Sequence, residues 1–477
     1  MNLAIWAVTN HTNPADLEHI YQQTEEKAIK PMRAMIPSGI STVPILNEAY
    51  RQNIPFTHLG AGIYQLGWGS RAHLFDRSSI GEDSAIGSKL AQNKYLTARI
   101  VRTAGLPAPQ HILVLDENGA DEAAVKLGWP LVVKPVDRDR SEGVTVGIHD
   151  RNKLKEAYKI AAGFSRKVLI EREVPGICYR LLVANGDLLY ALRRRPRSVI
   201  GDGQQTIAGL IQIAERNSRK LPAWRRYMPV ALDTLTLESL ARQGLTPEAV
   251  PESGELIELR TIESSEWGRH IEDATAEVHP DNIDIALRAA KLFGLRIAGI
   301  DLISPDISQP WHENGAILNE VNFSPYLGGN DIAKTRLPIF FQRLLLGDGR
   351  IPIEVMVGGN DAIVAGQARQ REFIDDGVRC FMTSHNLTID GNLSAMAFTS
   401  SGLFERSIAL LMNKDVDALI LVIQTDELLA CGLPVDRIDK IHLCQGQLES
   451  WHRNKNPVAG DAMPSLLELL TSHETGR

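Results

Sequence analysis

Between His111 and Pro196, short apolar runs alternate with stretches of helical periodicity, and this constrains the fold more than any other feature of the chain. HILVL is followed in turn by ENGADEAAVKLG, WPLVVKPV, NKLKEAYKIAAG, KVLIEREV and CYRLLVANGDLLYALRRRP. Apolar runs of about four to eight residues bounded by turn residues read as strands, and apolar positions three and four apart read as helices. The resulting order, β-α-β-α-β-β, predicts a compact α+β subdomain of roughly a hundred residues. Asn185-Gly186 between two apolar runs predicts a two-residue hairpin turn.

The flanks extend the pattern. Residues 1–80 mix apolar runs with Gly, Ser and Pro breaks and read as a small α/β segment, with Ile45 to Arg51 helical and GIYQLGWG a tight hairpin-like piece. Helical periodicity runs from Asp83 to Thr103 and stops at Gly105. Residues 206–277 are helical at first and then polar. From Asn282 a helix leads to strand RIAGIDLIS, a Pro-rich turn, strand AILNEVNFSP and helix LPIFFQRLLLG. At GDGRIP the alternation restarts with IPIEVMV and continues through DALILVIQ to about Leu448, before a short helix and a loose tail. The expected fold class is α/β (α+β), divided into residues 1–80, 81–345 with a lid subdomain at about 105–195, and 346–477. A chain of 477 residues suits two or three domains.

Composition removes several function classes. A formal net charge of −7 gives no general reason to bind nucleic acid or anionic lipid, so any basic site is local. Cys178, Cys380, Cys431 and Cys444 form no CxxC pair and offer no zinc site. No stretch approaches the roughly 18 uncharged apolar residues of a membrane span, and MNLAIWAVTNHTNPADLEH has no basic n-region or small-residue cleavage site. A cytoplasmic location is the expectation.

Certain residues stand where structure alone does not require them. Lys134 ends the apolar strand LVV, from which an ammonium can reach phosphate oxygens; an ordinary strand-end lysine is the bland alternative. The loop after it can close over phosphates through backbone N–H groups near Ser141 and Gly143, or can be a plain surface turn. Asp301 follows RIAGI, and Glu320 and Asn322 share side-chain parity in AILNEVN. A carboxylate inside an apolar strand is costly unless it is paired or binds metal. Oxygen-only ligands suit Mg²⁺, although caps or ion pairs would also account for these residues. Arg180, Arg193, Arg194, Arg195 and Arg197 crowd one hairpin, whose alternation puts Arg193 and Arg195 on one face and Arg194 on the other.

These stretches form a recognisable series. YQLGWG, NKYLTARIVRTAGLPAP, GWPLVVKPVD, VLIEREVPG, YRLLVANG, VIGDGQQTIAGLI, LARQGLTPEAVP, EVHPDN, AGIDLISPDISQP and ILNEVN, from about Pro55 to Asn330, resemble the ATP-grasp module of cyanophycin synthetases and of bifunctional glutathione synthetases. The resemblance implies an ATP-grasp fold that uses ATP and Mg²⁺ to join a carboxylate to an amine through an acyl phosphate. It implies that Lys94 and Lys134 meet ATP phosphates. Glu171, Arg172 and Val174 would lie in the hinge strand that reads the adenine edge. Asp301, Glu320 and Asn322 would bind magnesium, Arg180 and Arg194 would stand near the phosphates or acyl phosphate, and Arg260 would lie toward the substrate side. Amino acids or short peptides are the implied substrates, and a homo-oligomer (dimer or tetramer) is expected.

The departures from that pattern are as specific. The lid loop reads Arg138-Asp139-Arg140-Ser141-Glu142-Gly143 where the family is glycine-rich, and Cys178 stands where an acidic residue is expected. Glu263-Ser264-Ser265-Glu266-Trp267-Gly268 replaces a small-residue stretch, so the acceptor is expected to differ from poly-aspartate. GRIPIEVMVGGNDA, LTIDGNL and GLPVDRIDKIHL resemble the opening of a Mur-ligase-like module, yet Gly358-Gly359-Asn360-Asp361 lacks the P-loop lysine and hydroxyl. The expectation is a vestigial Mur-ligase-like α/β domain, too short for most of that module. Two alternatives stay open: a cyanophycin-like chain extender, and a nucleotide-binding scaffold without turnover.

Overall fold

The computed structural model describes residues 24–29, 39–138, 142–220, 229–262, 270–451 and 462–475. It divides into two compact units, one from Glu82 to Pro325 and one combining the described residues up to Gly81 with Tyr326 onward.

The second unit opens the chain. β1 (Phe56–Gly60), β2 (Ile63–Leu66), β3 (His73–Asp76) and β4 (Ser79–Ile80) form an antiparallel meander, so GIYQLGWG contributes to a four-stranded sheet rather than to one hairpin. The helix Thr42–Arg51 contains the expected helical stretch.

In the first unit, helical periodicity breaks where the sequence reading runs it through. Ala85–Ala91 and Lys94–Thr103 are separate helices, because the Asn93 side chain accepts the Leu96 N–H at 3.0 Å and caps the second. Lys94 thereby occupies the first turn of a helix. β5 (His111–Val114), β6 (Leu131–Pro135), β7 (Thr145–Ile148) and β8 (Val168–Arg172) make an antiparallel sheet in the order β5-β8-β6-β7. The helices Glu117–Leu127 and Arg151–Phe164 pack on it, capped by Asp116 and Asp150. Each core Leu or Ile buried there contributes about 1.5–3 kcal/mol.

The hairpin of β9 (Ile177–Ala184) and β10 (Asp187–Arg195) turns at Asn185 (φ 53°) and Gly186 (φ 89°), the left-handed pair that a two-residue turn requires. It does not join β5–β8, as the β-α-β-α-β-β reading expects. β11 (Ser198–Ile200) and β12 (Leu256–Glu258) pair with each other beside the helices Ile207–Arg219 and Thr234–Arg242. β13 (His270–Asp273), β14 (Ile297–Ser304) and β15 (Ile317–Phe323) then enclose the hairpin in a sheet ordered β13-β10-β9-β14-β15, antiparallel throughout. One face of this sheet, through Tyr179, Leu181, Val183, Ile300, Leu302 and Val321, packs with Ile285 and Ala289 of the helix Pro280–Leu292. The opposite face is left for polar groups.

The second unit resumes with β16 (Ile353–Val357), β17 (Cys380–Thr383), β18 (Thr388–Ile389), β19 (Ala418–Ile423) and β20 (Lys440–Leu443). Their order is β18-β17-β19-β16-β20, and all neighbours except β17–β18 are parallel. Continuous burial of β16, β17 and β19 explains why IEVMV, CFMT and ALILVI show no alternation. Among the described residues, no helix is long and apolar enough to cross a membrane.

Candidate active site

Strand register decides what the polar face of the five-stranded sheet carries. Asp301 on β14 stands opposite Arg180 on β9 and Glu320 on β15, while Gly299 stands opposite Asn322. Arg180 grips Asp301 with two parallel hydrogen bonds of 2.6 Å each, and Arg194 adds contacts of 3.3 and 3.4 Å. The Asn322 amide reaches both the Gly299 carbonyl (3.2 Å) and Asp301 Oδ2 (3.4 Å). Lys94 Nζ lies 3.3 Å from Glu320 Oε1 and donates to the Arg138 carbonyl at 2.8 Å.

Two β-bulges create this polarity. Next to the hairpin turn Leu188 pairs with Val183, but Tyr190 then pairs with Leu182 and Arg194 with Cys178. The extra residue, Leu189, advances the alternation by one, so Arg194 shares the face of Arg180. Arg193 and Arg195 turn to the other side, where Arg193 meets Glu272 at 2.8 Å and Glu277 at 2.5 Å, and Arg195 lies 3.7 Å from Glu272. In β15, Asn319 is the extra residue: Leu318 pairs with Leu302 and enters the apolar core, yet Glu320, two positions on, pairs with Asp301 on the polar face. Bulges re-aim side chains in this way beside active sites.

Electrostatics follow from the packing. Burial pushes the Asp301 carboxyl up, but Arg180 and Arg194 outweigh it and hold the group below its ordinary range. Arg180 is likewise held more firmly protonated, since Asp301 more than offsets its burial. Burial raises the Tyr190 phenol. Counting Arg180, Arg194 and Lys94 against Asp301 and Glu320, three cations face two carboxylates, a net charge of +1. The cluster is thus nearly neutral. A polyanion would draw the guanidinium and ammonium groups to itself and uncover carboxylate oxygens for a divalent cation.

A second buried cluster lies in the sheet of β5–β8. His111, Glu171 and Lys134 share one face, because His111 and Val132 both stand opposite Glu171 and Lys134 is two residues beyond Val132. Lys134 Nζ lies 2.7 Å from Glu171 Oε1, and His111 Nδ1 lies 3.3 Å from the same oxygen. Burial raises the Glu171 carboxyl, and the Lys134 charge overcomes this to leave it below its ordinary value. Glu173 ties the next segment to β7 by accepting the Gly147 N–H at 2.7 Å.

The remaining residues singled out from sequence lie as follows. Arg172 is exposed and ends β8, whereas Val174, expected in that strand, is half-buried two residues beyond it. Gly143 takes φ 67° in a turn beside Phe164, and Ser141 lies outside the described residues. The stretch 263–268 also lies outside them. Arg260 is buried, and its guanidinium donates to Asp233 (2.9 Å), the Leu259 carbonyl (2.9 Å) and Thr236. Sequence reasoning passed over His111, whose only signal is a histidine at a buried position of the apolar strand HILV, and over Glu173.

The loop after β16 is built differently. The Gly358 N–H donates to the Ile423 carbonyl (3.1 Å) and the Gly359 N–H to the Gln445 carbonyl (3.0 Å). A Cβ on Gly358, at φ 152°, would lie 2.9 Å from the carbonyl oxygens of Cys444 and Gln445. These glycines therefore serve close backbone packing, with their donors already engaged.

No family model matches the chain. It is 34% identical to a cyanophycin synthetase of Geminocystis herdmanii (strain PCC 6308) over 302 residues, 62% of this chain and 35% of that one. It is 31% identical to a bifunctional glutathione biosynthesis protein of Mannheimia succiniciproducens over 259 residues, 51% of this chain and 33% of that one. The chain spans about a third of the length of the curated relatives it matches. Among solved structures, a bifunctional glutathione synthetase from Pasteurella multocida is 25% identical, with 63% of this chain and 44% of that chain covered, at a TM-score of 0.48.

Proposed function

We propose that this chain, a relative of the ATP-grasp ligases through its similarity to cyanophycin synthetase and to the bifunctional glutathione protein, is an ATP-dependent carboxylate–amine ligase acting on amino acids or short peptides. The observation that carries the reading is the polar sheet face on which Asp301, Glu320 and Asn322 are interleaved with Arg180, Arg194 and Lys94. Phosphoryl transfer asks for this mixture, because the protein's part is to position the reactants and stabilise charge.

Asp301, Glu320 and Asn322 supply oxygen donors only, a set that fits Mg²⁺. Bound there, the ion would offset charge on the phosphates of ATP. Lys94 and Lys134 would hold those phosphates as point charges. Glu171, Arg172 and Val174 would line the nucleotide base, and Ser141 and Gly143 would cover the phosphates. A substrate carboxylate oxygen attacks the γ-phosphorus while the bond to the ADP oxygen breaks. Arg180 and Arg194 neutralise the charge that develops on the transferred group. The amine nitrogen then attacks the acyl carbon, the C–N bond forms, the C–O bond to phosphate breaks, and the amine loses a proton. Arg260 belongs to the acceptor side in this scheme. Alignment and electrostatics carry the rate, with no covalent enzyme nucleophile.

The engaged donors of the loop after β16 favour one reaction site over two, and so a single-step ligase over a polymer extender. We read that domain as a Mur-ligase-like remnant kept for packing or assembly. The test is incubation with Mg-ATP and pools of amino acids and dipeptides, reading phosphate release and product masses. An amide product with stoichiometric phosphate supports the ligase. Silence from every pool, with nucleotide still bound, would put the scaffold reading ahead.

A further inference from the structure

We propose that Arg406 anchors a second binding site, in the domain that begins at β16, for the carboxylate of a small organic acid with an apolar body. The inference stands apart from the ligase reading and goes beyond it.

Helical spacing puts this arginine inside. In the helix Leu403–Leu411 the buried stripe is Leu403, Ser407, Leu410 and Leu411, and Arg406 falls within it. Among the described residues, Arg194, Arg260, Arg350 and Arg406 are the buried arginines. Three are matched by carboxylates: Arg194 by Asp301 at 3.3 Å, Arg260 by Asp233 at 2.9 Å, and Arg350 by Asp348 at 3.1 Å. Arg406, 7% exposed, makes no ion pair among the described residues. Its contacts are a hydrogen bond from Nη1 to Thr388 Oγ1 (2.8 Å) and the Phe398 ring, whose centroid lies 5.3 Å from Cζ. Its Nε is buried without a hydrogen-bond partner. A buried charge held only by neutral groups is costly, and a cation–π contact offsets only part of that cost.

The neighbouring acid is already engaged. Glu427, which follows β19, accepts the N–H groups of Leu403 and Phe404 at 2.7 and 2.9 Å and so caps the helix that carries Arg406. His385 lies within electrostatic reach of Arg406, Glu427 and Glu449, and its buried Nδ1 also has no hydrogen-bond partner. His385 follows β17, beyond the carboxyl end of a parallel strand, where open α/β sheets receive their ligands. A carboxylate is the anion that fits. Seated on the guanidinium, it would satisfy Nε as Asp301 satisfies Nε and Nη2 of Arg180, each at 2.6 Å. One guanidinium beside Glu427 suits a monoanion better than a phosphate dianion, which asks for several donors. Phe398 and the Trp451 ring, 6.2 Å from that of His385, offer apolar surface to the rest of the molecule.

The experiment uses the full chain and hydrogen–deuterium exchange read by mass spectrometry, with benzoate as the probe and acetate and inorganic phosphate for comparison. We expect benzoate to slow exchange saturably in peptides from residues 383–408, by about threefold. Acetate should bind about tenfold more weakly, for want of an apolar body. Arg406→Met keeps the bulk of the side chain and removes its charge. In that variant benzoate binding should weaken by at least about tenfold, while the melting temperature without ligand holds or rises because the unmatched charge is gone. A purely structural Arg406 would give the reverse, a lower melting temperature in the variant and no benzoate effect in either protein. No saturable protection of the wild type, protection that survives Arg406→Met, or protection confined to residues 177–195 and 297–323 overturns the inference and leaves the ligase reading standing. Phosphate acting at lower concentration than benzoate overturns the choice of a carboxylate. If Arg406→Met does not fold, Arg406→Lys takes its place; it keeps the charge but loses the fork, and benzoate should bind it about fivefold more weakly.

Discussion

Two places in this chain invite phosphate, and they differ in what their donors are free to do. On the polar face of the five-stranded sheet, Arg180, Arg194 and Lys94 all contact carboxylates, partners they can exchange for phosphate oxygens. After β16 the strand–loop–helix order resembles a phosphate loop, and the four parallel strands run in the chain order second, third, first, fourth. There, however, the glycine N–H groups donate to backbone carbonyls and Gly358 lies against Cys444 and Gln445. Topology alone does not make an anion site. Donors that can change partner do.

The comparison is broken most directly at Glu320. Glu320→Gln keeps shape and removes the charge that balances Lys94; turnover is expected to fall at least a hundredfold or so, with far-ultraviolet circular dichroism unchanged. Phosphate release at near-wild-type rate would remove the metal assignment. Asp301→Ala is expected to act on stability as well. It leaves two arginines buried without their counter-charge, a loss of about 3–5 kcal/mol that a urea midpoint would report.

Acid should loosen the same region. Asp301 and Glu171 titrate below their ordinary values of 3.8 and 4.5, so their contribution is complete above those values. It is lost as pH falls through the lowered folded-state values. Denaturant midpoints measured downward from pH 5 should therefore decline, and less steeply in Glu171→Gln. A midpoint that holds steady to pH 3 would contradict the ion-pair account.

The loop after β16 should respond in the opposite sense. Gly358→Ala is expected to cost about 1–3 kcal/mol through overpacking, with ligase turnover intact in the folded fraction. Asn360→Lys, which restores a cation to the loop, is expected to change nucleotide affinity least of all. A clear gain in affinity on equilibrium dialysis would show that the loop opens.

Much of the fold is legible because local signals agree with it. Asp116 and Asp150 cap their helices, Asn185-Gly186 turns its hairpin, and the apolar runs become strands. Local signals fail where the answer depends on a distant partner. Periodicity cannot tell which sheet a hairpin joins, so β9 and β10 read from sequence as a continuation of the lid, whereas they pair with β14 and β13. TVGI is too short and too near a polar loop to read as β7. Parity separates Arg194 from its neighbours, but only pairing with Asp301 tells which face is inward. Asp301 and Glu320 were legible for a thermodynamic reason, since a charge in an apolar strand demands an explanation. His111 was not, because a histidine is uncharged often enough to pass as core.

Leu189 is an apolar residue whose side chain touches no chemistry, yet it acts as a phase element for everything downstream in its strand. Were Leu189 paired into the ladder instead of bulged out, every residue from Tyr190 onward would exchange inside for outside. Arg193 and Arg195 would swing toward Asp301, and Arg194 would leave. The inheritance of this site is therefore a matter of counting as well as of spelling. Two relatives could preserve all three arginines and still present different charges to the substrate, if one pairs this residue into the ladder and the other bulges it out.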